Sequence, residues 1–355
     1  MNSYIKIVAL LFIIPAVFAQ APPIEWQNRI GGSNWNISYS SIVSVDGGYT
    51  IGGRSNSNIS GDKTENSRGG FDYWIVNITN TGVITWDKTV GGASPTGNEQ
   101  DFFGDIKQTP DGGYIMCGTS NSPLSGDKLE DALNQPYSDY WIVKTNSIGA
   151  IEWQNVIGGS TDDVVYSLEL ASDGGYIIGG YSDSSISYDK TESSRGLQDY
   201  WVLKLNSLGN IEWQKTLGGN GNDILNRIIQ TSDGGYLLGG RSNSNISGDK
   251  TENSRGGSDW WIIKLNASGT EAWQKTIGGS GHDDLNQIIE ANDGGYLFAG
   301  SSSSPISGDK TEPNKGSDDY WIMKADTNGN IVWQKTYGGN ESDEIYSAAL
   351  CAGTS

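Results

Sequence analysis

Ile211-Glu212-Trp213-Gln214-Lys215-Thr216-Leu217-Gly218-Gly219 leads into a mixed apolar run from Asp223 to Thr231. The turn Asp233-Gly234-Gly235-Tyr236 follows, then Ser247-Gly248-Asp249-Lys250-Thr251-Glu252, and the stretch closes on Asp259-Trp260-Trp261-Ile262-Ile263-Lys264-Leu265. This stretch decides the fold because the chain repeats it. The Trp213 position returns as Trp26, Trp86, Trp153, Trp273 and Trp333, and the Asp233 turn returns at Asp46, Asp111, Asp173 and Asp293. Copies spaced roughly sixty residues apart are supersecondary units that must stack on one another to bury their apolar faces.

Four strand-like runs can be marked in one unit: Asp223 to Thr231, Gly235 to Ser242, Asp259 to Leu265, and Ile211 to Thr216 or its successor around Trp273. The first two are joined through Asp233-Gly234-Gly235 and the last two through Asn266-Ala267-Ser268-Gly269, both tight hairpins in which glycine accepts positive φ. In the third run Trp261, Ile263 and Leu265 point one way and Trp260 and Ile262 the other, so both faces are apolar and the strand needs neighbours on both sides. The third position after the turn tyrosine is Gly52, Cys117, Gly179, Gly239 or Ala299, always small, as where an adjacent sheet approaches closely. Cys117 therefore reads as a core residue. The predicted fold is all-β, a β-propeller of four-stranded antiparallel blades with five complete repeats. A lone fourth-type strand over Ile24 to Arg29 and a lone first-type strand over Asp343 to Leu350 would belong to a sixth, which leaves the ring open, truncated or closed by an incomplete blade.

Met1 to Ala19 has Lys6, an apolar run from Ile7 to Phe18, and a small residue at the cleavage position, the pattern of a secretory signal peptide. The division expected is a leader at 1–19 and a propeller domain at 20–355. About a dozen apolar residues are too few for a membrane span, which takes about twenty. Cys117 and Cys351 occupy non-equivalent places in the repeat, and stability is expected from strand packing instead of a disulfide framework. The formal charge of −19 disfavours nucleic acid and anionic membranes as partners. A secreted or cell-surface monomer is expected.

The Asp-Gly-Gly-Tyr, Ser-Gly-Asp-Lys-Thr-Glu and Asp-Tyr-Trp-Ile-x-Lys motifs, followed by Ile-Glu-Trp-Gln-Lys-Thr, resemble those of secreted bacterial β-propeller-repeat proteins of cell surfaces. The resemblance spans Ile24 to Leu350. It implies a propeller fold and an extracellular setting, and it brings no catalytic residues. Members of that group often carry a carboxy-terminal sorting domain.

Strand direction places the short hairpins on one rim and the long loop between second and third strands, with the inter-unit loop, on the other. Both insertions of unit two, around Ala93 to Gln100 and Leu129 to Tyr137, fall on the long-loop rim, and insertions gathered on one face of an array mark a binding face. The candidate ligand-binding residues there are Asp62 and Glu65 with the equivalents Asp127, Asp189, Asp249 and Asp309, and Trp35, which has no counterpart in other units and could stack on a sugar ring. The acids could offer oxygen ligands to Ca²⁺, although the spacing is not that of an EF-hand. The competing reading is that each Asp accepts backbone N–H groups and each Lys pairs locally to hold the loop. His282 is the only histidine, which excludes a histidine-rich zinc site. The acids preceding the first strand, Asp101, Asp163, Asp223, Asp283 and Asp343 with Asn36 in unit one, recur too regularly for one catalytic role and should cap turns. The leading expectation is a non-enzymatic binding or scaffold protein that recognises an extracellular glycan or a surface protein through the long-loop rim. The alternatives are an extracellular polysaccharide hydrolase using rim carboxylates, built on the insertions of unit two, and a structural spacer.

Overall fold

The computed structural model describes residues 24–349. The leader read at 1–19 and Cys351 lie outside that span. Twenty strands follow in chain order. The first blade is β1 (Asn36–Val43), β2 (Tyr49–Ser55), β3 (Asp72–Ile78) and β4 (Ile84–Val90); the second is β5 (Asp101–Gln108), β6 (Tyr114–Ser120), β7 (Asp139–Thr145) and β8 (Ile151–Ile157). The third is β9 (Asp163–Leu170), β10 (Tyr176–Ser182), β11 (Asp199–Leu205) and β12 (Ile211–Leu217), and the fourth is β13 (Asp223–Gln230), β14 (Tyr236–Ser242), β15 (Asp259–Leu265) and β16 (Glu271–Ile277). The fifth is β17 (Asp283–Glu290), β18 (Tyr296–Ser302), β19 (Asp319–Ala325) and β20 (Ile331–Tyr337). Each set of four forms one antiparallel meander, so the chain is all-β with five four-stranded blades.

The two faces of each third strand serve two different interfaces. Trp261, Ile263 and Leu265 pack with Tyr200 and Leu225, whereas Trp260 and Ile262 pack with Leu285 and Trp321. Every third-strand residue from β7 to β15 is buried, which is why those strands read as continuous apolar runs. Across each interface the ring that opens the third strand meets the tryptophan of the next blade, with centroids 5.0 Å apart for Tyr73 and Trp141, 4.9 Å for Tyr140 and Trp201, and 4.5 Å for Trp260 and Trp321. The hydroxyls of Tyr73, Tyr140 and Tyr200 each donate to the backbone carbonyl of that tryptophan at 2.9–3.2 Å. Aromatic stacking and a satisfied hydroxyl thus hold neighbouring blades in register.

The glycine pair of each second strand has two separate causes. A side chain at Gly179 would meet Leu225 Cδ2 at 2.7 Å and Ile228 Cδ1 at 2.8 Å, both from the next blade. Cys117 and Ala299 occupy the same position fully buried, and burial pushes the Cys117 thiol far up from its ordinary range. The second glycine, Gly53, Gly118, Gly180, Gly240 or Gly300, lies against a carbonyl oxygen of its own first strand, Ile224 in the case of Gly240. That first strand bulges there. The pairing skips Tyr39, Gly104, Tyr166, Asn226 and Asn286 in turn, leaving one residue of each first strand without a ladder partner.

The two end segments differ from expectation. Neither Ile24 to Arg29 nor Asp343 to Ala349 forms a strand, and among the described residues no strand pairs with either to supply ladder hydrogen bonds. Both still occupy repeat-like positions. Trp26 stacks on Tyr49 with centroids 6.1 Å apart, as Trp86 does on Tyr114 at 5.7 Å, and Asn286 Nδ2 donates to the Ile345 carbonyl at 2.8 Å, as Asn226 does to Leu285 at 2.9 Å. Among the described residues no helix is long and apolar enough to cross a membrane.

Candidate functional site: the axial cavity and the long-loop rim

On the rim, the loop acids serve the joints between units. The Gly31 N–H donates to the Asp62 carboxylate at 3.0 Å, and the Asp62 N–H returns to the Gly31 carbonyl at 3.1 Å. The same two-way clasp joins Asp127 to Gly91, Asp189 to Gly158, Asp249 to Gly218 and Asp309 to Gly278. An arginine from the preceding loop adds an ion pair in three of them, Arg68 to Asp127 at 3.0 Å, Arg195 to Asp249 at 2.8 Å and Arg255 to Asp309 at 3.2 Å. Glu65 faces Lys88 at 2.7 Å and accepts the Thr89 N–H at 3.1 Å, which ties the loop to the outermost strand. Glu192, Glu252 and Glu312 do the same at Thr216, Thr276 and Thr336. The five aspartates are therefore not brought together. Among the described residues no three His, Cys, Asp or Glu side chains gather as a metal would need, and the loop acids spend their oxygens on amides and arginines, a poor fit to Ca²⁺.

The lysine of the same loop turns inward, bonding within the loop at Lys310, to the Glu312 carbonyl and Asn314, and to a threonine of the outermost strand at Lys63, Lys190 and Lys250. Lys63, Lys128, Lys190, Lys250 and Lys310 are buried, and four of them lie over the third-strand tryptophan, 5.1–5.7 Å from the ring centroid. Lys190 Nζ donates to Thr216 Oγ1 at 2.7 Å and faces Asp163 and Asp199, both fully buried. Burial pushes the Lys190 ammonium down to about 8 and the Asp163 carboxyl up to about 7. Unit one carries a swap that keeps this charge balance. Asn36 replaces the first-strand acid, Asp87 replaces the glutamine that accepts the tryptophan N–H elsewhere, and Lys63 again faces two acids, Asp72 and Asp87. The first-strand acids do cap turns: Asp223 accepts the Gly219 N–H at 2.7 Å, whereas at the equivalent turn Asn36 Nδ2 donates to the Gly32 carbonyl at 3.2 Å.

Trp35 is 70 % exposed and lines a rim cleft together with Arg29, Asn34 and Asp62. The structure thus brings two of the sequence candidates, Trp35 and Asp62, to one place. His282 is exposed, with Nδ1 at 3.2 Å from Ser258 Oγ.

A concavity larger than the rim cleft is one that the motifs did not point to. A cavity of about 1020 Å³ is lined by residues of all five first strands and by Tyr346 and Ser347 of the last segment, so the blades are set around one axis. Every bulged residue lines it: Tyr39, Gly104, Tyr166, Asn226 and Asn286. The bulge removes each from the ladder and turns it toward the axis. Asp105 is the buried centre of its polar wall. It receives Ser40 Oγ at 2.7 Å, the Leu168 N–H at 3.3 Å and Arg227 Nη1 at 3.3 Å, the last reaching from β13 to β5. Lys107 is paired with Glu169 at 3.0 Å. Toward the long-loop rim, where Ser138 and Asp162 contribute, the wall becomes aromatic with Tyr39, Phe102, Tyr166 and Tyr181. One sequence signal could have found this site. The fourth and fifth residues of the first strand are Tyr39-Ser40, Gly104-Asp105, Tyr166-Ser167, Asn226-Arg227 and Asn286-Gln287, polar or aromatic pairs with no apolar aliphatic residue inside a strand that otherwise packs.

No protein family matches the chain, and neither does any curated protein. Among solved structures, a protein of unknown function from Bacteroides caccae aligns with TM-score 0.42 at 14 % identity, over 87 % of this chain and 92 % of its own. Kuenenia stuttgartiensis hydrazine synthase aligns with TM-score 0.47 at 12 % identity, over 86 % and 68 %. An apocarotenoid oxygenase variant from Synechocystis aligns with TM-score 0.44 at 12 % identity, over 86 % and 63 %. No ligand or chemistry passes from these proteins to this chain, and its all-β, five-bladed architecture rests on its own sheets.

Proposed function

We propose that this is a secreted, non-enzymatic binding protein that takes an extracellular glycan at the long-loop rim, with the axial cavity as the principal site. The extracellular setting rests on the leader pattern at 1–19 and on the repeat motifs. The observation that carries the reading is that the bulged residues, Tyr39, Gly104, Tyr166, Asn226 and Asn286, all line one cavity and place aromatic and amide groups on its wall. A purely structural ring has no need to turn two tyrosine rings and two amides onto its axis, whereas a ligand site does. Ring faces at Tyr39, Phe102 and Tyr166 offer stacking surfaces at the mouth, and Asn226, whose Nδ2 holds the Leu285 carbonyl, keeps its Oδ1 to accept a sugar hydroxyl. The loop acids keep this mouth in shape by clasping neighbouring units.

The test is a glycan array with the protein spanning residues 20–355, followed by calorimetry on the hits. Tyr166→Ala and Asn226→Ala should each weaken a hit by about tenfold, the effect of losing one stacking or hydrogen-bonding group. Binding unchanged by both variants would remove the axial cavity from the reading. Release of shortened oligosaccharide would instead point to the hydrolase.

A further inference from the structure

Two arginines occupy equivalent places in β2 and β14, Arg54 and Arg241. Arg241 is satisfied, with Nη1 at 3.2 Å from Asp284 on the neighbouring first strand. In the corresponding place beside Arg54 the chain has Phe102. The Arg54 guanidinium lies over three rings instead, 4.3 Å from the Phe102 centroid, 4.8 Å from Phe71 and 5.3 Å from Tyr39. Its Nε is buried without a hydrogen-bond partner, and no carboxylate pairs with it among the described residues. This is an arginine held by ring faces, with its planar fork of donors unclaimed, at a cavity mouth that already offers stacking surfaces.

The cavity wall also differs in charge from the rest of the molecule. It holds three cations, Arg54, Lys107 and Arg227, against Asp105 and Asp162 on the wall and Glu169 beside Lys107, a neutral site in a chain whose formal charge is −19. Arg227 is spent on Asp105 and Lys107 on Glu169. That leaves Arg54 as the cation open to an incoming anion.

We infer that the mouth of the axial cavity selects an acidic sugar, with the ligand carboxylate received by the Arg54 guanidinium and its ring stacked on the exposed aromatic wall. This deepens the glycan reading above and depends on it. A fork of N–H donors matches a carboxylate with two parallel bonds, and the rings around Arg54 fix its plane before the ligand arrives, so little conformational freedom is lost on binding. Because the chain as a whole is anionic, the attraction is short in range. It favours one acidic residue seated at the mouth over a long polyanion drawn in by the overall field.

The experiment compares a uronic-acid tetrasaccharide with its carboxyl-reduced neutral counterpart by calorimetry on the wild-type protein. The acidic sugar should bind at least about tenfold more tightly, the effect of one charge-assisted hydrogen-bond pair. Arg54→Gln should erase that preference, Arg54→Lys should restore part of it, and Arg241→Gln should leave the preference intact. Equal affinity for the two sugars in the wild type overturns the inference and leaves the glycan reading standing, whatever the folding of the variants. Binding of neither sugar, with the array also blank, overturns both.

Discussion

Lys190→Met removes an ammonium that is 1 % exposed and faces two fully buried carboxylates, Asp163 and Asp199. Methionine fills much the same space over Trp201, so little of the effect comes from packing. What changes is that two buried acids lose their cation. The ammonium acts on both acids through space and not in a direct ion pair, so its loss should cost less than the about 3–5 kcal/mol of breaking a buried pair, on the order of 1–3 kcal/mol. The acids can escape part of this cost by taking up protons. Burial already holds Asp163 at about 7 and Asp199 at about 6 with the lysine present, against 3.8 for a free aspartate, and without it both rise further. An acid whose folded pKa is raised holds an extra proton when folded, so its contribution to stability is present at low pH and lost as pH rises through the folded value. The variant should therefore suffer most at pH 8. The deficit should shrink toward pH 6 by about 1.4 kcal/mol per pH unit for each extra proton its folded state holds. Urea unfolding followed by tryptophan fluorescence at pH 6, 7 and 8 reads this directly. A variant as stable as wild type at pH 8, or a deficit that does not change between pH 8 and 6, would refute the argument that the lysine balances buried acids. Adding Asp163→Asn to Lys190→Met should recover part of the loss.

Gly240→Ala drives a Cβ into the Ile224 carbonyl at the bulge and should cost at least about 1–3 kcal/mol, whereas Gly234→Ala, with φ at 81° and open space around it, should cost only about 1–2 kcal/mol; equal denaturation midpoints would contradict the bulge explanation. On the hairpin rim the bond from Thr109 and the Lys144 ammonium hold the Asp111 carboxyl down at about 2, so its contribution is intact above 3.8 and fades as pH falls from there to about 2. Asp111→Asn should accordingly narrow its stability gap to wild type across that acid window, read from thermal melts at pH 2 to 5. Cys117 should resist thiol reagents in the native protein and react only as fast as the chain unfolds, since it is fully buried and its thiolate is disfavoured; rapid native labelling would place it elsewhere.

Local spacing was enough to determine the strands, the hairpins and the radial stacking of this chain. A period-2 pattern with both faces apolar, as in Trp260 to Leu265, admits only a strand sandwiched between sheets, and Asp233-Gly234-Gly235 admits only a tight reversal. The predicted strands agree with the observed ones to within about a residue at each end. The end segments fell outside that logic, because a strand is defined by its partner and not by its own residues. Site chemistry was less legible for a related reason. Repetition drew attention to the loop acids, which the structure ties to joints between units. The lysine beside them, expected to pair locally, does so at Lys310 with the Glu312 carbonyl and Asn314, but Lys63, Lys190 and Lys250 reach a threonine of the outermost strand in the interior, which only the packed blade shows. The axial cavity was hidden because its residues come from strands as far apart in sequence as β5 and β13. Asp105 and Arg227 are 122 positions apart, and only the turning of blade upon blade around the axis brings an ion pair from them.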